Sequence, residues 1–397
     1  MRRELLWDEG EHRASWMRRQ SGGRGSCRAA RQGVRRLLIA AQQELRPPSV
    51  LVRILVAIAW LIACLSGTLT AEDRVTLIPD GAVDPVILIG SVEEYTGQVL
   101  LLKRPDADTP DRYPANSIQS VQTWRSAIHE QGIAELNAGT NPLAEQSLLK
   151  ALTDEPRDWM KREILSLLVR CAIRRGDWST AATRFLQITN EDAATPHWNI
   201  APIQWAPQAL GDGPKTLARS WLKETDSPTR LLAASWLLLD PVYGEAAEKQ
   251  LEDLARDPNT IISNLARPQL WRVRLGLDLS ELEVQKWRTE VRRLPRSLRA
   301  GPQYLVGRGL LQRREPGAAA AEFLWLPQVY SDNEDLSARA LVDAAGALEK
   351  TGQTQAALTL YDGVQSKYPW SPWANEARHA RSVLSSPADS SENPERE

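Results

Sequence analysis

From residue 124 to residue 384, apolar side chains return at every third and fourth position, and a Gly or Pro falls every 12 to 20 residues. That spacing predicts a succession of short amphipathic helices. Residues 74–123 are patterned differently. Short aliphatic and β-branched runs at 75–78, 86–92, 99–102 and 118–121 are separated by turn-formers at 79–81, 95–97 and 105–110, a pattern of strands. Strands this short do not bury a face as a single hairpin, so closure into a small barrel is expected.

Further upstream, residues 54–65 carry no charge and follow Arg53 directly. A bilayer span needs about 20 apolar residues. This shorter run suits the apolar core of a secretory signal peptide, with Arg53 as its leading charge and cleavage expected after Ala71. Two alternatives stand beside cleavage. Leu61, Ile62, Ala63 and Cys64 fit the loose lipobox of bacterial lipoproteins, which would lipidate Cys64, and residues 51–69 would serve as an uncleaved membrane anchor. Residues 1–49 hold eleven Arg and no Lys. They read as a disordered leader, with the true start expected near Val50 or Val52. The alternative is a basic cytoplasmic tail ahead of an anchor. Residues 385–397 are Ser, Pro and acidic, and are expected to be disordered.

Within the helical body a spacing recurs. With Gly139 as anchor, Gly132 lies seven residues before, while Ala144, Leu148, Ala151 and Pro156 follow five, nine, twelve and seventeen after. The same offsets from Gly176 give Ala181, Phe185 and Ile188; from Gly352 they give Ala357, Tyr361, Val364 and Pro369. With Arg314 in the anchor place they give Gly307, Ala319, Phe323 and Leu326. The anchor suits the end of a first helix, where Gly accepts a left-handed backbone without steric cost. The small residues suit a close crossing of two antiparallel helices, and the position nine on fills the space towards the next pair. Both Phe of the chain fall in that slot. Proline then closes the second helix.

This set of positions resembles the tetratricopeptide repeat (TPR), a 34-residue helix–turn–helix unit, at 125–158, 162–195, 301–333 and 338–371. The large aromatic of the family's first helix is replaced here by Ile128, Leu165 and Leu341. The resemblance implies a mainly α fold, a solenoid of antiparallel helix pairs preceded by a barrel-like β domain. It also implies a non-enzymatic scaffold that binds a protein or peptide. Residues 196–299 interrupt the pattern. Pro196, Pro202, Pro207, Gly211, Gly213 and Pro214 predict a loop packed by Trp198 and Trp205, followed by degenerate TPR-like or HEAT-like helices over 227–240, 244–257 and 258–275. The β segment, with Gly90, Glu94, Gly97 and Tyr113 at their spacings, resembles a small Sm-like or SH3-like barrel. The domain division expected is leader 1–49, signal segment or anchor 50–71, β domain 72–123, repeat domain 124–384 and tail 385–397.

Charge excludes one class of partner. The chain has 49 basic and 50 acidic residues; residues 1–71 take 12 Arg and 5 acids, leaving a net of −8 beyond them. An acidic body lacks the clustered cations of a general nucleic-acid binder. Of Cys27, Cys64 and Cys171, only Cys171 lies in the body, so no internal disulfide is available there. His12, His129, His197 and His379 have no metal-ligand spacing, and no phosphate loop or nucleophile elbow occurs. No cofactor, metal or catalytic residue is therefore expected. Two surface features stand out. Arg272, Arg274, Arg288, Arg292, Arg293, Arg296 and Arg299 form a basic stretch, read as a docking patch for anions or as a solvated helix face. Trp370 and Trp373 read as an exposed anchor or as the cap of the last helix. The overall expectation is an exported scaffold, periplasmic or envelope-bound. An envelope assembly lipoprotein and a ligand-binding protein using the β module are the alternatives.

Overall fold

The computed structural model describes residues 72–79 and 84–385. The leader, the apolar run with Cys64 and the tail from residue 386 lie outside the described residues. Ser385, expected in the tail, ends the last helix instead.

The chain is mainly helical, with a small antiparallel sheet ahead of the helices. The strands are β1 (Asp73–Leu77), β2 (Val86–Tyr95), β3 (Val99–Lys103), β4 (Asp111–Pro114) and β5 (Ile118–Gln122), in the order β4-β3-β2-β1-β5. The closed barrel expected from sequence does not form: the sheet is open, with β4 and β5 at its edges. β2 is longer than the pattern suggested and serves both halves. Its first part pairs with β1 and its second with β3, with a bulge between Val92 and Glu94. Gly90 sits where the two ladders meet, and a Cβ there would lie 2.5 Å from the Lys103 carbonyl oxygen.

A helix covers the sheet in place of further strands. Val75, Val92, Leu100 and Leu102 are buried in one apolar cluster with Leu136, Leu148, Trp159 and Leu168 of the helical body. Polar contacts fix the same seam. Trp159 Nε1 donates to the Val92 carbonyl at 3.3 Å, Arg162 pairs with Glu94, and the Gly97 amide donates to Asp192 at 2.8 Å. The buried Asp73 carboxylate accepts from the Val92 amide and the Thr123 hydroxyl, tying the first and last strands together.

The helices are α1 (Ala127–Asn137), α2 (Asn141–Asp154), α3 (Asp158–Arg174), α4 (Trp178–Glu191), α5 (Asp212–Trp221), α6 (Ser227–Leu237), α7 (Gly244–Leu254), α8 (Thr260–Gln269), α9 (Trp271–Arg274), α10 (Glu281–Arg293), α11 (Ala300–Gln312), α12 (Pro316–Val329), α13 (Glu334–Glu349), α14 (Thr354–Lys367) and α15 (Pro372–Ser385). Local chemistry sets their starts. Ser126, Asp177, Asp226, Asn259 and Asn333 each accept a first-turn amide, and Ser280 with Glu283 forms a full capping box. Two sequence expectations are corrected here. The loop expected through Pro214 ends at Gly211, because Pro214 falls in the first turn of α5, where its missing N–H costs nothing. The single helix expected over 258–275 is broken at Leu270 into α8 and α9, with Pro268 near the end of α8.

Candidate functional site

The four anchor positions share one backbone geometry. Gly139, Gly176 and Gly352 have φ of 78°, 73° and 77°, and Arg314 has 63°; among the described residues no others have positive φ. At each, the following amide donates back to the carbonyl five residues earlier: Thr140 to Glu135, Asp177 to Ala172, Glu315 to Leu310 and Gln353 to Leu348. This is the Schellman closure, which satisfies the last carbonyls of α1, α3, α11 and α13. Ala144, Ala181, Ala319 and Ala357 are fully buried, as are Leu148, Phe185 and Phe323. Tyr361 and Ala151 are nearly so. A Cβ on Gly132 would meet Leu148 at 2.7 Å, and one on Gly307 would meet Phe323 at 2.5 Å. Pro156 and Pro369 lie exposed just beyond α2 and α14.

The segment between α4 and α5 is not a surface loop. It opens with a 3-10 turn (Pro196–Ile200) and continues without regular secondary structure, with Trp198, Ile200, Ile203 and Trp205 buried. This strap is held by α6: the Gln204 amide donates to Ser235 Oγ at 2.8 Å, and Trp236 Nε1 donates to the Pro202 carbonyl at 2.8 Å. On another side it meets α11, where the Trp205 ring lies against Gly301; a Cβ there would fall 2.0 Å from the ring. Asn333, the N-cap of α13, donates to the Asn199 carbonyl. Helices distant in sequence also meet directly beside the strap. Arg170 and Arg174 of α3 both pair with Glu334 of α13, at 2.6 and 2.8 Å. Arg174 further donates to the Leu136 carbonyl and lies 4.9 Å from the centre of the Trp370 ring. The space left beside this junction is only about 40 Å³, and burial pushes the Asp335 carboxyl at its edge up to about 6.

A larger opening lies on the other flank of the strap. A cleft of about 550 Å³ has Trp205, Leu238, Val273 and Leu275 among its walls and the buried Tyr304 and Arg272 on its inner side. A neighbouring cleft of about 420 Å³ shares Pro207, Leu239, Asp240 and Arg272 with it. Tyr304 donates to Asp343 at 2.6 Å, and Arg308 and Arg339 gather on the same carboxylate. Burial and the Asp343 charge hold the Tyr304 hydroxyl well above its usual range.

The basic stretch 272–299 is not a patch. Arg272 is buried, Arg274 pairs with Glu283, and Arg288 pairs with Glu322. Arg296 and Arg299 donate to the carbonyls of Val329 and Leu294, leaving Arg292 and Arg293 exposed without such contacts. Trp373 is buried beneath Arg339, and half-buried Trp370 stacks on Arg174, so neither is an exposed anchor. His129 is fully buried with neither ring nitrogen hydrogen-bonded, and burial lowers it to about 4; His197 is lowered as far by the same cause. Burial raises the Cys171 thiol to about 11. Among the described residues no group of His, Cys, Asp or Glu is arranged to hold a metal ion, and no helix is long and apolar enough to cross a membrane.

The strap is the loop expected to be packed by Trp198 and Trp205, and both are buried in it, whereas the Arg272 cleft escaped the sequence reading. An advance signal of dense packing here was the excess of Trp. Trp178 of α4 clusters with Trp221 and Trp236 at centroid distances of 6.2 and 6.0 Å, and Trp271 stacks on Trp287 at 4.9 Å; all but Trp178 lie in the irregular middle of the chain. No protein-family model matches the chain, and no curated protein matches it.

Proposed function

We propose that the chain is a non-enzymatic scaffold of the TPR type that works at the bacterial envelope and holds a protein or peptide partner. What carries this reading is the shared closure of four helix pairs, each with a left-handed anchor, a buried Ala five residues on and a large apolar residue nine on. Helix pairs that repeat one local geometry stack by nearest-neighbour contacts and leave broad surfaces for partners. The inner contacts of α3, α6 and α11 are taken by the chain's own strap, so the partner is assigned to outer surfaces. The envelope location rests on the apolar run 54–65, with cleavage at Ala71, lipidation of Cys64 and retention of 51–69 as the three outcomes to separate. Nucleic acid is not among the partners proposed, because the body is acidic.

A second reading gives recognition to the sheet, because Val86, Ile87 and Ile89 of β2 are exposed at 42%, 56% and 46%. The helical surface has its own exposed residues, Leu239 and Val242, at 58% and 77%. Removing residues 72–123 would not separate the readings, since the sheet shares its core with α1 and α3. Paired surface substitutions do. Crosslinking and capture from intact cells is expected to lose the partner in Leu239→Asp with Val242→Asp. Loss only in Ile87→Asp with Ile89→Asp would transfer recognition to the sheet. A wild-type protein that captures no partner would refute the scaffold.

A further inference from the structure

Arg272 is 6% exposed, and among the described residues no carboxylate lies within ion-pair distance of its guanidinium. Nη1 donates to the Ser235 carbonyl and to Gln269 Oε1, both at 2.7 Å, and Nη2 reaches Gln204 Oε1 at 3.4 Å. All three acceptors are neutral, so the charge is solvated by dipoles but not neutralised. A buried cation without a counter-charge is among the more costly arrangements a fold can carry. Arg308, the other cation lining the larger cleft, is matched, since it shares Asp343 with Arg339. Arg272 therefore stands apart, and it lines both clefts that flank the strap. Desolvation lowers it to about 10, which still leaves it charged at neutral pH.

The walls around it narrow the chemistry of a counter-ion. Trp205, Leu238, Val273 and Leu275 offer an apolar lining, and a volume of about 550 Å³ falls within the ordinary range for small-molecule sites. Asp240, Glu245 and Glu248 also border the cleft; Glu245 is exposed and the other two are half-buried, so the acidic groups sit towards solvent and Arg272 sits inside. An anion with a second negative charge at its far end would meet those carboxylates. We propose that this cleft binds an aliphatic monocarboxylate, with its carboxylate on Arg272, its apolar body along Trp205 and Leu275, and its outer end neutral or cationic. A planar guanidinium is suited to receive a carboxylate through paired N–H groups. This is a ligand-binding activity separate from the scaffold role.

The test uses the full chain, octanoate as probe, and isothermal titration calorimetry. Octanoate is expected to bind with saturation, octanamide about tenfold to a hundredfold more weakly for want of the charge, and suberate more weakly than 8-aminooctanoate. Arg272→Gln is expected to abolish octanoate binding, with circular dichroism reporting whether it folds; if it does not fold, the comparison of octanoate with octanamide on the wild-type chain decides alone. Absence of saturable octanoate binding at millimolar concentration, equal binding of octanoate and octanamide, or binding that survives in a folded Arg272→Gln would each overturn the site. Preference for a hexapeptide with a free C-terminal leucine over octanoate would overturn the small-molecule occupant and assign the cleft to a protein C terminus. None of these outcomes depends on whether the scaffold captures its partner.

Discussion

Gly307 and Phe323 show how finely single positions set the helix crossings. The Phe323 ring occupies the volume a Cβ on residue 307 would need, so Gly307→Ala forces two helices apart. Overpacking of this kind costs about 1–3 kcal/mol, and truncating the fully buried Phe323 to Ala about 3–5 kcal/mol. Chemical denaturation reads both. Arg314 is the converse case. It is exposed and holds the left-handed angle that Gly supplies at the three sister positions. Arg314→Gly is expected to stabilise by up to about 1 kcal/mol, the relief of backbone strain exceeding the entropy that Gly adds to the unfolded chain. His129 and His197 make stability depend on pH. Both stay neutral in the fold down to about 4, whereas an unfolded His takes a proton near 6.5. Below 6.5 the unfolded chain binds the extra protons, so stability falls with pH through the window from 6.5 to 4. A denaturation series across that window should show the decline, shallower in His129→Gln; an unchanged slope would remove His129 from the account.

At the scale of elements, the strap is the part that departs most from a plain repeat. Trp205 lies against the Gly301 backbone, and Ile200 and Ile203 are buried beside it. Trp205→Ala should cost about 3–5 kcal/mol and lower the thermal midpoint, although the residue lies in an irregular segment. If the strap were a dispensable loop, the midpoint would not move. The helix pairs themselves were legible because their signals are local: a left-handed anchor, small residues at crossings and N-capping side chains all act within a few positions. The sheet's strands were legible for the same reason, except β4, whose Asp111, Arg112, Tyr113 and Pro114 carry little β pattern. What was not legible is pairing at long range. Nothing within 74–123 announces that Trp159 and Arg162 will cover the sheet and leave the barrel open. Arg272 was misread for a related reason: its charge suggests solvent, whereas Ser235 and Gln204, 37 and 68 residues away, enclose its guanidinium.

For the whole molecule, the contact that matters most joins α3 to α13. Arg174 has a side chain 5% exposed, and Glu334 is its carboxylate partner across 160 residues of sequence. Glu334→Gln leaves that guanidinium buried without its charge partner, an expected loss of about 3 kcal/mol. Small-angle scattering should show a larger radius of gyration if this junction is what holds the two ends of the helical array together; an unchanged radius would assign that task to the strap alone. The scaffold role proposed above would act through the outer surfaces of the helix pairs. The proposed partner-bearing role is tested by the native mass of the protein drawn gently from its own envelope fraction. A defined complex well above the 44.3 kDa of the chain is expected, with a second protein in fixed stoichiometry. A single species at the mass of the chain alone, in every fraction where the protein is found, would contradict it.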